Sequence, residues 1–157
     1  MTRLYGRAAP GERVVDAVPQ NYGTSQTMLA VLSRRGVAAP WVIEGAVDGA
    51  VFLTWVKRVL GPTLQAGDLV VMDNLKAHKV KGVEEAITAR GAHVLYLSPY
   101  SPDFNPIEQC WAKIKTFLRK AKARTLDALL DALRQALATV TAADARAWFA
   151  HCGYAVH

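Results

Sequence analysis

The chain has 157 residues, a net charge of +6 and 52% hydrophobic residues, Trp41, Trp55, Trp111 and Trp148 among them. That is the length of one domain with enough apolar material for a buried core, which excludes intrinsic disorder. Two cysteines, Cys110 and Cys152, are too few for a disulfide framework or a zinc cluster, and no apolar run nears the roughly 18 residues of a membrane span, so a cytoplasmic protein with no membrane partner is expected.

In chain order, residues 1–22 contain Gly6, Pro10, Gly11 and Pro19 without a sustained period and read as an irregular lead-in, with one short strand at 13–18. Residues 27–32 and 41–46 are strand candidates around a turn at Arg34, Arg35 and Gly36, an antiparallel pair. Residues 50–60 carry Val51, Trp55, Val59 and Phe52, Val56 at helical spacing, closed or kinked by Gly61 and Pro62. Residues 68–72 form a short continuous apolar run, the pattern of a strand buried on both faces, with Asp73 at its carboxyl end, where open α/β sheets gather their ligands. A helix at 80–90 stopped by Gly91 and a second buried strand at 92–97 follow. After a proline-rich loop, Pro106 falls at the first helical position behind Asn105, and Ile107, Cys110, Trp111, Ile114, Phe117 and Leu118 share one helix face as far as about Lys122. Thr125 caps a helix at 126–139 striped with Leu126, Leu129, Leu130, Leu133 and Leu137, and Thr141 caps a last helix ending near His151. The order predicts a layered α/β fold, a mixed sheet flanked by helices, in one domain: lead-in 1–22, core 23–122, carboxyl-terminal helices 123–157.

Two acids stand out. Asp73 ends a strand and Glu108 opens a helix, an arrangement able to hold Mg²⁺, which takes hard oxygen donors and commonly one or two carboxylates. Phosphodiester cleavage uses two such ions about 4 Å apart, and a third acid normally completes the set. Each acid has a plainer reading: Asp73-Asn74 as a turn after a strand, and Asn105 to Glu108 as a capping box. Ala112, Lys115, Arg119 and Lys122 lie on the same helical stripe as Glu108, so cations lead away from the acid as a DNA backbone requires, or simply solvate the helix. From Lys76 to Arg124 there are ten Lys and Arg against four acids, while the rest of the chain balances nine against nine. A surplus beside both acids fits a docked polyanion, and a solvated basic surface equally. His78 and Lys79 lie within a turn of Asp73 and can orient a phosphate or make an ordinary polar contact. Glycine-rich phosphate loops, a nucleophile elbow and Cys-x-x-Cys pairs are absent from the sequence.

Residues 70–79 (VVMDNLKAHK) and 97–115 (LSPYSPDFNPIEQCWAKIK) resemble the second and third acidic motifs of DDE transposases, in the bacterial insertion-sequence branch related to mariner. Residues 5–13 (YGRAAPGER) and 44–52 (EGAVDGAVF) resemble that family too. The resemblance implies a ribonuclease H-like sheet, Asp73 and Glu108 as catalytic metal ligands for Mg²⁺ or Mn²⁺, and Asn74, His78 and Asn105 in support. It implies DNA as partner, both transposon ends and target, with cleavage followed by strand transfer. The family's first catalytic Asp, on a central first strand, has no counterpart here, and neither Asp16 nor Asp48 matches its motif. The expectation is therefore an amino-terminally truncated catalytic domain, inactive alone, completed by an upstream transposase fragment or a homodimer partner. The alternative is a non-catalytic DNA-binding remnant or regulator that uses the basic face from Lys113 to Arg124.

Overall fold

Pro40 sets the shape of the first sheet. The structure, a computed structural model, describes residues 5–15, 24–99 and 101–155. Strand β1 (Gln26–Ser33) pairs antiparallel with β2 (Gly36–Glu44), as expected, but β2 starts well before Trp41. The register runs from Gln26↔Glu44 to Leu29↔Trp41, then shifts and resumes at Val31↔Ala38. Proline has no N–H to give a ladder, and the irregularity absorbs it. Ala39 sits at φ 52° and its carbonyl accepts from Trp55 Nε1 at 3.0 Å. The shift also changes side-chain parity, so that Val37 and Val42 both reach one apolar cluster while Ala39 and Trp41 reach another.

The helix expected at 50–60 is α1 (Gly49–Trp55), capped by Asp48 Oδ1 accepting from Val51 N at 2.8 Å. It continues as a widened π turn at Val56–Leu60 and a tight 3-10 turn at Gly61–Thr63, so the glycine-proline pair reshapes the helix end without breaking it. Strand β3 (Leu69–Met72), a 3-10 turn at Lys76–Lys79, helix α2 (Val83–Thr88) and strand β4 (His93–Tyr96) follow. Helix α2 is shorter than predicted, because Gly82 at φ 98° turns the chain just before it. β3 and β4 pair in parallel from Leu69↔His93 to Met72↔Tyr96. Helices α3 (Ile107–Ala121), α4 (Leu126–Ala138) and α5 (Ala142–His151) close the chain, with Thr125 and Thr141 capping the last two as predicted.

One apolar cluster joins Phe52, Trp55, Val56, Leu60, Met72, Val83 and Ile87, with Leu29, Val31, Val70 and Val94 packed against it. It lies under one face of both strand pairs. Full burial of side chains such as Leu60 and Ile87 contributes about 1.5–3 kcal/mol each. The second cluster joins Cys110, Ile114, Leu133, Ala136 and Val140 to Met28, Leu32, Val37 and Val42, so α3 and α4 cover only the other face of β1 and β2. Leu126 and Leu130, expected in the α4 stripe, are 48% and 36% exposed.

One expectation fails here. The strands read as buried on both faces are buried on one: Leu69 and Leu95 are 56% and 45% exposed, and Leu69, Val71 and Leu95 belong to neither cluster. Among the described residues no strand joins the antiparallel β1–β2 pair to the parallel β3–β4 pair, as expected of a mixed sheet without its central first strand. The strand predicted at 13–18 falls partly outside the described residues, and 13–15 carry no strand.

Candidate active site

Asp73 is held at the carboxyl end of β3 by ties on both sides. Leu97 N donates to Met72 O at 2.8 Å, and Asn74 Nδ2 donates to the Leu97 carbonyl, clamping the ends of the two parallel strands together. Asp73 Oδ1 accepts from Leu75 N at 3.1 Å, the short loop an aspartate makes with the backbone two residues on. The turn reading of Asp73 is therefore realised, yet it occupies one oxygen only. Oδ2 has no protein partner among the described residues, and the side chain is 43% exposed.

His78 flanks the same carboxylate. Its Nδ1 lies 2.7 Å from Asp73 Oδ1. The approach is at ion-pair distance without the direction of a hydrogen bond, and the enclosed Nδ1 has no hydrogen-bonding partner. The ring is fixed from behind by Phe52, with centroids 4.4 Å apart and planes at 35°, and Phe52 in turn meets Trp55 at 5.4 Å. Tyr96 donates its hydroxyl to the His78 carbonyl at 3.1 Å. Burial, then the charges of Glu84 and Glu85, push the Tyr96 phenol up, which keeps that donor protonated. Lys79 Nζ sits 5.4 Å from the centre of the Tyr96 ring. Phe52 had been legible only as core, because its contact with His78 spans two elements.

Glu108 lies in the first turn of α3, exposed, with its carboxylate free of hydrogen bonds among the described residues. The capping box with Asn105 does not form. Pro106 already has helical angles, φ −59° and ψ −24°, no side chain caps the helix, and Asn105 contributes only its carbonyl, accepting from Glu108 N at 3.1 Å. With the structural role vacant, the carboxylate is left facing solvent at the positive end of a helix. Ala112, Lys115, Arg119 and Lys122 are all exposed with it, and Lys122 ends the helix in the left-handed region at φ 51°. Lys113, read earlier as part of the basic face, points elsewhere. It donates to Thr139 O at 2.8 Å and pairs with Asp144 at 2.7 Å, tying α3 to α5.

The fold thus brings Asp73, Asn74 and His78 together at the strand ends and sets Glu108 at the head of the helix that follows β4. Both acids offer hard oxygen donors without protein partners, the chemistry a divalent cation needs. Among the described residues no three His, Cys, Asp or Glu gather as a metal site. Asp48 is engaged as the cap of α1, and Asp16 lies outside the described residues.

The fold is similar to solved transposase structures. A Mos1 strand transfer complex matches 96% of this chain and 46% of its own with a TM-score of 0.71 at 17% identity. A Mos1 mariner paired end complex with Mn matches 94% and 46% with a TM-score of 0.69 at 18% identity. The catalytic domain of Mos1 mariner transposase matches 82% and 73% with a TM-score of 0.65 at 14% identity. The ribonuclease H-like α/β class expected from the sequence is the class observed, and the chain spans about half the length of the first two proteins. No curated protein matches in sequence. Residues 1–130 match the DDE superfamily endonuclease family, to which this chain belongs.

Proposed function

We propose that residues 1–157 form one partial transposase catalytic domain that cleaves DNA strands and transfers them with Mg²⁺ or Mn²⁺, Asp73 and Glu108 being the ligands. The observation that carries the proposal is the state of the two carboxylates. Asp73 follows a strand and Glu108 opens a helix of an endonuclease-family fold, and neither is consumed by that fold, Asp73 keeping Oδ2 open and Glu108 keeping both oxygens. When bound there, the cation supplies charge neutralisation at the scissile phosphate and an activated water. The rest falls to the chain. The Asn74 clamp fixes the strand end that carries Asp73, the Leu75 N–H holds its Oδ1, and His78, backed by Phe52, limits where that oxygen can move. Lys115, Arg119 and Lys122 would hold the DNA backbone beyond Glu108.

Completion by a second segment belongs to the same reading. Among the described residues the strand pairs are unjoined, the apolar Leu69–Leu95 face is uncovered, and no third acid gathers with Asp73 and Glu108. An added strand carrying an aspartate, from an upstream transposase fragment or from a homodimer partner, would answer all three. The test is nicking of a DNA duplex by the chain alone and by the chain joined to such a strand. Cleavage is expected only in the joined form, with Asp73→Asn and Glu108→Gln each lowering it at least about a hundredfold. Robust cleavage by the chain alone would remove the dependence, and cleavage indifferent to both substitutions would remove the site.

A further inference from the structure

A second basic feature lies away from the acids. Tyr5, Gly6 and Arg7 run beside the second half of α3 and, with Thr116, Arg119 and Lys120, line an open cleft of ≈ 620 Å³. The lead-in segment is folded for this. Glu12 N donates to Ala9 O at 3.0 Å in a turn, and Gly6 lies so close to Val14 that a Cβ at Gly6 would stand 2.6 Å from Val14 Cγ1. Three of the lining side chains are cations, none is an acid, and Arg7, Arg119 and Lys120 form no ion pair among the described residues. Like charges gathered around one cavity repel until an anion enters. The cleft also holds Tyr5, 89% exposed, a ring left in water beside the cations. Cations that track a backbone, together with an aromatic face that stacks a base, are the parts of a single-strand site. Arg119 lies on the stripe of Glu108, about 16 Å along the helix at 1.5 Å per residue.

We propose that this cleft seats single-stranded DNA, with a backbone phosphate among Arg7, Arg119 and Lys120 and an unpaired base on the Tyr5 ring. The choice of DNA rests on the cleavage reading of Asp73 and Glu108, whereas the cleft needs neither acid nor metal. The test is fluorescence anisotropy of the full chain with a labelled single strand of about 12 nucleotides, and with the matching duplex, in EDTA. Tyr5→Ala should weaken single-strand binding about fivefold or more and leave duplex binding unchanged. The Arg7→Gln, Lys120→Gln double variant should flatten the slope of log affinity against log salt by about 1.4. All three side chains are exposed, and a thermal melt checks that the variants remain folded. Wild-type single-strand affinity in both variants would overturn the proposal. So would equal competition by polyglutamate, which would make the cleft a general anion site. If the unaltered chain binds neither form of DNA, the cleavage reading falls too, whereas duplex binding with an indifferent cleft removes the cleft alone.

Discussion

Asp73 and Asp144 differ in how far the fold engages their carboxylates. Asp144 is spent on structure: it accepts from Lys113 Nζ at 2.7 Å and from Thr141 N and Oγ1 at 2.8 Å each. The Lys113 hydrogen bond first, and then those of Thr141, hold its carboxyl down at about 2. A lowered folded pKa gives stability that is present above the ordinary aspartate range and lost as pH falls towards about 2. Asp144→Asn keeps the cap and loses the charge. Its melting temperature should therefore fall a few degrees below wild type at neutral pH, with the gap closing near pH 2. The sequence announced Thr141 as a cap, because capping is local. It did not announce Lys113 as the partner of Asp144, since that pair depends on how α3 and α5 cross. Asn74 is a similar case: its clamp on the Leu97 carbonyl spans two strands, and Asn74→Ala should cost about 1 kcal/mol by urea denaturation.

At the scale of elements, legibility followed locality. The α3 face of Cys110 and Ile114 and the threonine caps of α4 and α5 were readable from periodicity and cap chemistry, because each is decided within a few residues. The start of β2 was not, because Pro40 interrupts the alternation that marks a strand and only pairing with β1 shows the ladder on both sides of it. The irregular Ala39 carbonyl depends on the Trp55 indole, itself only 3% exposed. Trp55→Phe keeps most of the packing and removes the donor, so a loss of about 1–3 kcal/mol is expected in chemical denaturation. The capping-box reading of Glu108 failed for a comparable reason: Pro106 enters the helix itself and displaces Asn105 from the cap. That displacement leaves the carboxylate available.

At the scale of the molecule, strand pairs left unjoined among the described residues and the exposed face of β3 and β4 are what no local pattern could reveal. An apolar tetrapeptide such as Leu69 to Met72 reads as doubly buried whether or not the chain supplies both covers. Exposed apolar strand surface promotes association. The chain should self-associate as its concentration rises, and Leu69→Lys with Leu95→Lys should reduce this in sedimentation velocity. The proposed chemistry requires Asp73 and Glu108 to bind a divalent cation, and Mn²⁺ titration followed by backbone NMR tests that without requiring activity. Paramagnetic broadening is predicted first at residues around Asp73 and Glu108, and it should be lost in Asp73→Asn. Broadening centred elsewhere, or unchanged by that substitution, would contradict it.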